Sequence, residues 1–577
     1  MFKKQKLIEK PLVLVLGCIP KDFNYETHIV ISLSSFSGSG IDPEFVDFRR
    51  NTFCKGELLK ESLRSVKYYN YLSDKLGEKL NSEYNLNLSE HFWSIFFNSW
   101  LTVLIQICLK REKSVLNIID KYKDQEISVV ISNKKQNWKF SDSLDFLNNG
   151  VVNPEFNEWL NSRILEHQIP LKWKVSYKKI EQSKKKKILN KNKNKNKNKI
   201  KIKTFLNRII SFLTSRCSSI YGFNVLDKFY FSFLLIFKSK ISRKENVEVL
   251  KENINWSFNF IDDIINKLDF EYFNKLPSVK INKNKGGKLK LISAEDLFYD
   301  SDKIIDCAKR VEGGEYLIGT QHGGHTYGSA LITDFLNSIE LNKCLQFFTW
   351  GWNNIGGSTT SLQPLSSPYL EGYKNKHIRK NEKIILVGTR MHLFFRRFES
   401  APQPQQWLAY REQKTKLISK IIDIENCKDD FFYRPYFNEI GSLKETSFLK
   451  NKFPDLSFIK GDLHKEIFSC RLLILDHPGT TLNIAMAGNI PVLCIWHEES
   501  FHFNEYASES LANLKKNNIF FSDVDELIIH LNNIEDNVSD WWQSTEIQTT
   551  RIEWCNTYAR TSNHWRKEWT NQLINIK

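Results

Sequence analysis

Short, mostly apolar runs alternate with helical segments over the last third of the chain, and this alternation limits the possible folds more than any other feature. The runs lie at 383–388, 431–434, 456–460, 472–475 and 491–496, and a helix is expected at about 405–424. Strands that are apolar along their whole length are covered on both faces. Strands of this kind joined by helices predict a parallel sheet in an α/β domain.

The N-terminal part mixes the same elements with more helix. Strands are expected at 12–16, 127–132, 316–320 and 345–350, and an aromatic-rich helical region covers 58–122. The stretch NNIGGSTTSLQPLSSP at 353–368 is rich in Gly, Ser and Pro, which is typical of a connector. A chain of 577 residues with 41% hydrophobic residues can bury at least two cores. We therefore predict two Rossmann-like α/β domains, 1–370 and 371–577, with helical additions.

The net charge of +17 is concentrated in one segment. Residues 178–203 hold 13 lysines against one glutamate, which is +12, and they include Asn-Lys repeats with little apolar surface. Such a composition predicts a solvated, disordered insertion in the N-terminal domain. The functional alternative is a polybasic contact with anionic membrane lipids. Nucleic-acid binding is not expected, because no zinc-finger, RNP or recognition-helix pattern accompanies the lysines.

The remaining composition indicates a reducing compartment. Ten cysteines are scattered without a CxxC pair, which favours free thiols and a cytoplasmic protein. The lysines suggest an alternative location, in which the protein is attached peripherally to the inner face of the plasma membrane. The apolar run near the N-terminus is too short for a signal-peptide core. The uncharged run 92–109 has polar residues at every fourth position, which predicts an amphipathic helix with Ser89 as its N-cap.

Two predicted strand ends carry unusual chemistry, and the first is the glycine-rich stretch LIGTQHGGHTYGSA at 317–330. Gln321, His322 and His325 stand among four glycines, which allow a backbone to approach a ligand closely. These side chains are candidates for catalysis, with His322 as a base or an orienting group. The alternative is a tight turn whose histidines bind backbone groups.

The second strand end is ILDHPGTTLNIAMAGNIPVLCIW at 474–496. It predicts a strand, a loop and a helix that begins at Thr480 and ends at Gly488. Free N–H groups at a helix start favour a bound phosphate. The two glutamates that follow the next strand are expected to bind the hydroxyls of a ribose. The candidate donor-binding residues here are His477, Pro478, Gly479, Thr480, Thr481, Glu498 and Glu499. The alternative makes Thr480 only a helix cap and Asp476 a buried structural acid.

Charged candidates for the reaction itself are fewer. Arg390 and Arg434 follow predicted strands and could stabilise a leaving phosphate, or could serve as structural ion-pair partners. The QHGGHTYG loop contains no acid, so Asp22, Glu26 and Asp334 are candidates only because they lie near strand ends.

Four segments together carry a family resemblance: SEHFWSIFFNSWL, GTQHGGHTYG, FTWGW and DHPGTTLNIAMAGNIPVL. In this order they resemble a bacterial family of transferases from surface-carbohydrate gene clusters. The pair His477-Pro478 is similar to the HP motif with which GT-B sialyltransferases and Kdo transferases hold a CMP-sugar.

The resemblance implies a GT-B-like glycosyltransferase. Its N-terminal domain would face the acceptor, and its C-terminal domain would bind the nucleotide sugar. The partners would be a nucleotide sugar, with a CMP-activated acidic sugar as one candidate, and a glycan or lipid-linked acceptor. No cofactor or metal is expected. Two other classes stay open: a metal-dependent enzyme with His322, His325, His477, His497 and His502 as ligands, and a non-catalytic nucleotide- or sugar-binding protein.

Overall fold

The structure is a computed structural model, and it describes residues 11–576 with gaps. The gaps are 44–45, 47, 49–51, 134, 180–215, 218–219, 238–258, 282–286, 325–327, 332–336, 338, 356–359, 401 and 437–440. The predicted lysine-rich insertion therefore lies outside the described residues from residue 180 to its end.

Sixteen strands and nineteen α-helices are found in the described part of the chain. The helices span Lys55–Tyr84, Glu90–Phe96, Asn98–Tyr122, Ser143–Asn149, Pro154–Glu166, Val225–Phe237, Asn259–Ile265, Ser301–Glu312, Pro368–Glu371, Trp407–Ile422, Glu425–Lys428, Glu445–Lys452, Leu463–Ile467, Thr480–Gly488, Glu505–Lys516, Val524–Ile534, Val538–Gln543, Thr545–Tyr558 and Trp565–Asn575. Short 3-10 helices join several of them.

The N-terminal part contains two four-stranded parallel sheets and one two-stranded sheet. Its strands are β1 (Leu12–Val15), β2 (His28–Val30), β3 (Ile127–Ser132), β4 (Trp138–Phe140), β5 (Lys174–Lys178), β6 (Leu268–Phe270), β7 (Leu289–Ser293), β8 (Tyr316–Thr320), β9 (Gln346–Thr349) and β10 (Ser361–Pro364). The first sheet has the order β2-β1-β3-β5, the second has the order β10-β9-β8-β7, and β4 pairs with β6. The sequence indicated β1, β3, β8 and β9 but not the other six strands or their division into separate sheets.

The C-terminal part is built on one six-stranded parallel sheet. Its strands are β11 (Ile384–Val387), β12 (Phe431–Arg434), β13 (Ser457–Phe458), β14 (Leu472–Leu475), β15 (Val492–Ile495) and β16 (Phe520–Phe521). The order β13-β12-β11-β14-β15-β16 corresponds to 3-2-1-4-5-6, the doubly wound Rossmann order. The predicted α/β class with parallel sheets is confirmed. In this order the strand sequence reverses between β11 and β14, and a ligand crevice opens beyond their carboxyl ends.

The apolar run 92–109 does not form one helix. The chain breaks at Phe97 into Glu90–Phe96 and Asn98–Tyr122, which are bent by 69°. Ser89 caps the first helix, because its Oγ accepts a hydrogen bond from the Phe92 N–H at 3.2 Å. Most of the predicted polar stripe is buried, since Asn98 and Gln106 are 0% exposed. The expected polar face thus lies inside the protein, where Asn98 Nδ2 donates to the Leu297 and Ile339 carbonyls at 2.8 Å each.

No single helix among the described residues has both the length and the hydropathy to cross a membrane. The bent pair Glu90–Phe96 and Asn98–Tyr122 meets those criteria only when its two helices are taken together.

The C-terminal helix Trp565–Asn575 returns to the N-terminal part. Its Trp569 ring lies 5.2 Å from the Phe348 ring of β9, and Trp569 Nε1 donates to the Ser366 carbonyl at 2.9 Å. The domain boundary near residue 370 stays a prediction. With such a boundary, the chain passes from the C-terminal part back to the N-terminal part to form this helix.

Candidate functional site

The two strand ends that the sequence indicated meet in the structure. The Gly324 N–H, beyond β8, donates to Thr480 Oγ1 at 2.9 Å at the start of the helix that follows β14. A Cβ atom on Gly324 would lie 2.8 Å from Thr480 N, so only glycine allows this approach. The glycine-rich loop of the second N-terminal sheet and the DHPGTT loop of the C-terminal sheet therefore form one site.

The helix start at Thr480 has the features of an anion site. Gly479 is the N-cap and supplies no side-chain cap, and the first turn contains no acidic residue. The Thr480 and Thr481 N–H groups have no backbone acceptor in the described part of the chain. Among the described residues the Thr481 hydroxyl has no partner either, whereas Thr480 Oγ1 is occupied by Gly324. Unsatisfied N–H groups and the helix dipole favour a negative charge here.

His477 is held in one orientation beside this helix start. Its Nδ1 lies 2.9 Å from Asp476 Oδ1, and the other ring nitrogen, Nε2, faces Gly479. Because Asp476 is an ionised acceptor, Nδ1 carries the proton and donates it to the carboxylate. The opposite nitrogen is then available to a ligand at the helix start.

Asp476 is a buried structural acid, as the alternative interpretation proposed. Its Oδ1 also accepts from the Thr389 N–H at 2.7 Å, and its Oδ2 lies 3.1 Å from Lys414 Nζ and accepts from the Tyr410 hydroxyl. Burial alone would raise the pKa of Asp476, but the charge of Lys414 and the hydrogen bonds from His477 and Tyr410 outweigh it and lower the pKa to about 2. The carboxylate therefore joins the end of β14 to the end of β11 across the crevice.

A carboxylate that the sequence did not single out faces His322. Glu295 follows β7, and its Oε1 lies 3.7 Å from His322 Nε2, which is contact distance but too long for a hydrogen bond. The Tyr221 hydroxyl donates to Glu295 Oε2 at 2.9 Å. Burial raises the pKa of Glu295. Burial, and next the charge of Arg397, lower the pKa of His322 to about 3, so the imidazole is neutral at physiological pH.

Glu295 could have been found from the sequence. It stands at the carboxyl end of the apolar run LKLIS, which is β7 and pairs directly with β8. The strand-end argument that selected His322 applies equally to it. The run was missed because β7 is short and follows a lysine- and glycine-rich stretch.

The other N-terminal candidates lie in different surroundings. Gln321 is buried, and its Oε1 accepts from the Trp350 N–H at 2.9 Å and from Trp352 Nε1 at 2.7 Å, so its side chain holds the FTWGW segment. His325 and Asp334 lie outside the described residues. Asp22 and Glu26 lie between β1 and β2, on the first sheet, whereas the site is built on the second.

Arginines beyond β11 make one wall of the site cationic. Arg390 Nε donates to Ser442 Oγ, and Arg397 lies over the Phe298 ring at 5.0 Å, next to the Glu295 segment. Arg397 also pairs with Glu399 at 2.6 Å, whereas Arg396 has no ion-pair partner among the described residues. Burial, and next the charges of Arg390 and Arg397, lower the pKa of Arg396 to about 10. The sequence indicated Arg390 but missed Arg396 and Arg397.

Arg434 and the acidic pair after β15 complete the predicted donor residues. The Arg434 guanidinium donates to the Ile459 and Gly461 carbonyls, which fixes the chain after β13. Glu498 is exposed and lies 3.2 Å from Lys515 Nζ. Glu498 and Glu499 line a surface cavity of about 530 Å³, together with Trp496. These residues follow β15, which neighbours β14, the strand that leads to the helix start.

No group of three or more His, Cys, Asp or Glu side chains among the described residues could hold a metal ion. Of the five histidines in the metal alternative, His325 lies outside the described residues, and His497 Nε2 contacts the Ala409 carbonyl at 3.2 Å. The expectation that the reaction needs no metal stays a prediction.

A doubly wound sheet, a helix N-terminus at its switch point and a facing parallel sheet define an α/β protein with a candidate anion site at the carboxyl ends of its strands. The family that matches is described as the LIC12162 family transferase, and its model covers residues 44–573. The chain belongs to this family and is therefore a transferase.

Two solved structures show a more distant likeness. One is the crystal structure of Acinetobacter baumannii MurG, with 9% identity and a TM-score of 0.28 over 48% of this chain and 71% of that chain. The other is the spinosyn rhamnosyltransferase SpnG complexed with spinosyn aglycone, with 11% identity and a TM-score of 0.28 over 50% and 73%. No curated protein matches the chain.

Proposed function

We propose that the protein is a GT-B-type glycosyltransferase that moves a sugar from a nucleotide-sugar donor to a cell-surface glycan or lipid-linked acceptor. The observation that carries the proposal is the contact between Gly324 and Thr480. This contact supports the proposal because it joins the helix start, the candidate anion site, to the loop that carries His322, and His322 faces Glu295. A transferase needs both groups at one reacting centre.

The donor would lie against the C-terminal sheet. Its phosphate would accept hydrogen bonds from the Thr480 and Thr481 N–H groups and the Thr481 hydroxyl. His477 Nε2, which accepts when Nδ1 carries the proton, would bind a hydroxyl of the donor. The nucleoside would occupy the cavity lined by Glu498 and Glu499, where a carboxylate can bind the ribose hydroxyls. Arg390 and Arg396 would face the negative charge that develops on the leaving group.

The acceptor hydroxyl would approach from the N-terminal side. Glu295 is the better base of the facing pair, because its raised pKa makes it more basic than an ordinary carboxylate, whereas the pKa of His322 is low. His322 would then orient the acceptor or relay its proton. A CMP-activated acidic sugar is the donor that the His477-Pro478 pair favours, and the cationic wall would also suit its carboxylate. No metal is needed in this scheme, because the helix start and the arginines supply the positive charge.

A thermal-shift screen with CMP, UDP, GDP and dTDP compounds tests the donor site. A ligand at 100 times its dissociation constant should stabilise the fold by about 2.7 kcal/mol. Thr481→Val should weaken binding of the active nucleotide by about 1 to 3 kcal/mol, because a hydrogen bond to a charged group is lost. The fold should survive, since the hydroxyl has no partner among the described residues.

The matched control is Thr549→Val, an exposed helix threonine whose hydroxyl binds the Thr545 carbonyl. It should leave nucleotide binding unchanged. If Thr481→Val binds the nucleotide like the wild type but melts at a markedly lower temperature, Thr481 only supports its helix and the phosphate site lies elsewhere.

A further inference from the structure

Tyr221 contacts both members of the facing pair, Glu295 and His322, and it has no role yet in the proposed function. Its hydroxyl donates a hydrogen bond to Glu295 Oε2 at 2.9 Å. Its ring lies 6.1 Å from the His322 ring, with the two planes at 37°. Tyr221 is 37% exposed, so part of its side chain is open to solvent beside the pair. The residue therefore lies where it can control how the candidate base is presented.

The segment that carries Tyr221 is attached to the edge of the second N-terminal sheet. Cys217 forms a parallel bridge with Leu291 of β7, the strand that leads to Glu295. The Leu291 N–H donates to the Arg216 carbonyl at 2.8 Å. Because these contacts fix the chain four residues before Tyr221, its bond to Glu295 joins two segments that already lie side by side.

A glycine seats the turn after Tyr221 against the start of the helix Pro368–Glu371. Gly222 has a φ of +84°, and a Cβ atom there would lie 2.3 Å from Tyr369 N and 2.4 Å from the Pro368 carbonyl carbon. The Tyr221 and Tyr369 rings then meet edge to face, at 5.8 Å and 87°. This arrangement is favourable for aromatic pairs. The direction of the Tyr221 ring, and with it that of the hydroxyl, is therefore set from behind.

The aromatic stack continues into the FTWGW segment, which also has no role yet in the proposed function. The Tyr369 ring stacks on the Trp350 ring at 6.1 Å and 24°. The Trp350 N–H donates to Gln321 Oε1 at 2.9 Å. Gln321 therefore holds the base of a stack whose other end is Tyr221.

The bond to Tyr221 leaves the two oxygens of Glu295 in different positions. Oε2 accepts from the Tyr221 hydroxyl, and Oε1 lies 3.7 Å from His322 Nε2. This separation is too long for a direct hydrogen bond, but an acceptor hydroxyl seated between the two atoms can reach both within hydrogen-bond distance. Oε1 is therefore the oxygen that can take a proton from the acceptor.

We propose that Tyr221 is the positioning residue of the candidate base, and that it holds Glu295 Oε2 so that Oε1 takes the proton of the acceptor hydroxyl. This role rests on the proposed glycosyl transfer. In that step the acceptor oxygen keeps the electron pair of its O–H bond and forms a bond to the anomeric carbon of the sugar. The bond from that carbon to the donor phosphate breaks, and its electron pair leaves with the phosphate. The proton on Oε1 then returns to solvent.

The Tyr221 hydroxyl also opposes the effect of burial on the carboxylate. Burial raises the pKa of Glu295, and the hydrogen bond from Tyr221 lowers it, because the donor stabilises the ionised form. Other charged or titratable groups that act on Tyr221, Glu295 or His322 are Asp296, Tyr299, Lys303 and Arg397. Tyr221→Phe leaves all of these in place, so it should raise the pKa of Glu295 further.

The first test measures the carboxylate directly, on the full-length protein without substrate. In a carbon-NMR titration of protein labelled at the glutamate carboxyls, Glu295→Gln identifies the Glu295 signal by its loss. Tyr221→Phe keeps the ring and should move the midpoint of that signal upward by about one pH unit. Tyr230→Phe is the matched control, since the Tyr230 hydroxyl lies 3.1 Å from Thr570 Oγ1, and it should leave the midpoint unchanged. An unchanged midpoint in Tyr221→Phe overturns the proposal.

The second test asks whether the same bond serves the reaction. Tyr221→Phe should lower kcat by about tenfold, with KM and nucleotide affinity little changed, and should move the acidic limb of kcat/KM to higher pH. In the Glu295→Gln background the same substitution should cost little more, because Tyr221 acts through the carboxylate. A full tenfold loss in that background overturns the positioning role.

The two tests also separate this proposal from the proposed function. If the NMR midpoint moves but the limb of kcat/KM does not, another group is the base. That outcome overturns the role of Glu295 in the transfer, and with it the role of Tyr221 in catalysis, while it confirms the bond. The titration needs no substrate, so it decides on the bond even if the proposed transfer activity fails.

Discussion

At the scale of single residues, neighbours in sequence have different tasks in the site. Asp476 binds Lys414 and Tyr410 in a buried network, whereas Nε2 of His477 faces the helix start. Thr480 joins the two halves of the candidate site through Gly324, and the Thr481 hydroxyl has no partner among the described residues. Glu295, far from both in sequence, supplies the carboxylate that the glycine-rich loop lacks.

Replacing Glu295 tests its role as the base. Glu295→Gln should lower turnover by about 10²-fold or more, with little change in nucleotide affinity, because the residue lies on the acceptor side. His322→Ala should also reduce turnover, by roughly tenfold if the ring only orients the acceptor and by about 10²-fold if it takes the proton.

The pH profile separates this role from a structural one. A base must be deprotonated, so wild-type kcat/KM should fall as the pH drops through the raised pKa of Glu295, and Glu295→Gln should lack that limb. Glu83→Gln, on an exposed helix surface, is the control and should keep the wild-type profile. A full acidic limb in Glu295→Gln would show that another group is the base.

At the scale of elements, the bent helix pair in the N-terminal part is held by polar side chains inside the core. Asn98 ties the second helix to the Leu297 and Ile339 carbonyls, and Gln106 Oε1 accepts from the Phe398 N–H at 3.0 Å. The bond to Leu297 reaches the segment that carries Glu295, and the bond from Phe398 reaches the segment that carries Arg397. This helix therefore supports both walls of the site from behind.

Asn98→Leu should lower the free energy of unfolding by about 2 to 4 kcal/mol, because two buried carbonyls would lose their donors. Chemical denaturation measures the change. Thr102→Val on the same buried face is the control, since its hydroxyl binds only the Asn98 carbonyl of its own helix, and it should cost less than about 1 kcal/mol. Equal losses in the two variants would mean that apolar packing, and not the two carbonyl bonds, positions the helix.

At the scale of the whole molecule, the site exists only because two sheets approach each other through glycine. A Cβ atom on Gly324 would lie 2.8 Å from Thr480 N and 2.9 Å from the Gly479 carbonyl carbon, which are backbone atoms that cannot easily move aside. The distance between the glycine-rich loop and the helix start thus depends on a single missing side chain.

Gly324→Ala should therefore separate the two loops and reduce turnover by about tenfold or more, since a misplacement of about 1 Å costs up to 10²-fold. Each sheet should stay folded, so the melting temperature should change little. Gly56→Ala, on a helix with open space around it, is the control and should be neutral or slightly stabilising. Wild-type turnover in Gly324→Ala would show that the loops stand apart during catalysis.

Several single elements could be predicted from the sequence. The strands at 127–132, 316–320, 431–434 and 472–475 agree residue for residue with the structure, and so does the helix Thr480–Gly488. Each of these signals is local: an apolar run is set by its own residues, and a helix start depends on the few residues around its cap and the apolar periodicity that follows. The family transferase activity could also be predicted, because its motifs are short and contiguous.

Only the tertiary structure decided which of the candidate residues share a site. Gln321 and His322 are adjacent in sequence. However, the Gln321 side chain accepts hydrogen bonds from the FTWGW segment, whereas His322 faces Glu295. Asn98 and Gln106 look like a solvent-facing stripe until segments about 200 to 300 residues away provide their partners. Hydrogen bonds and ion pairs between distant segments depend on how sheets are placed against each other, and local patterns do not encode that placement. The sequence by itself therefore determined several strands, the helix start and the transferase class, and the packing of the sheets determined which residues meet in the candidate site.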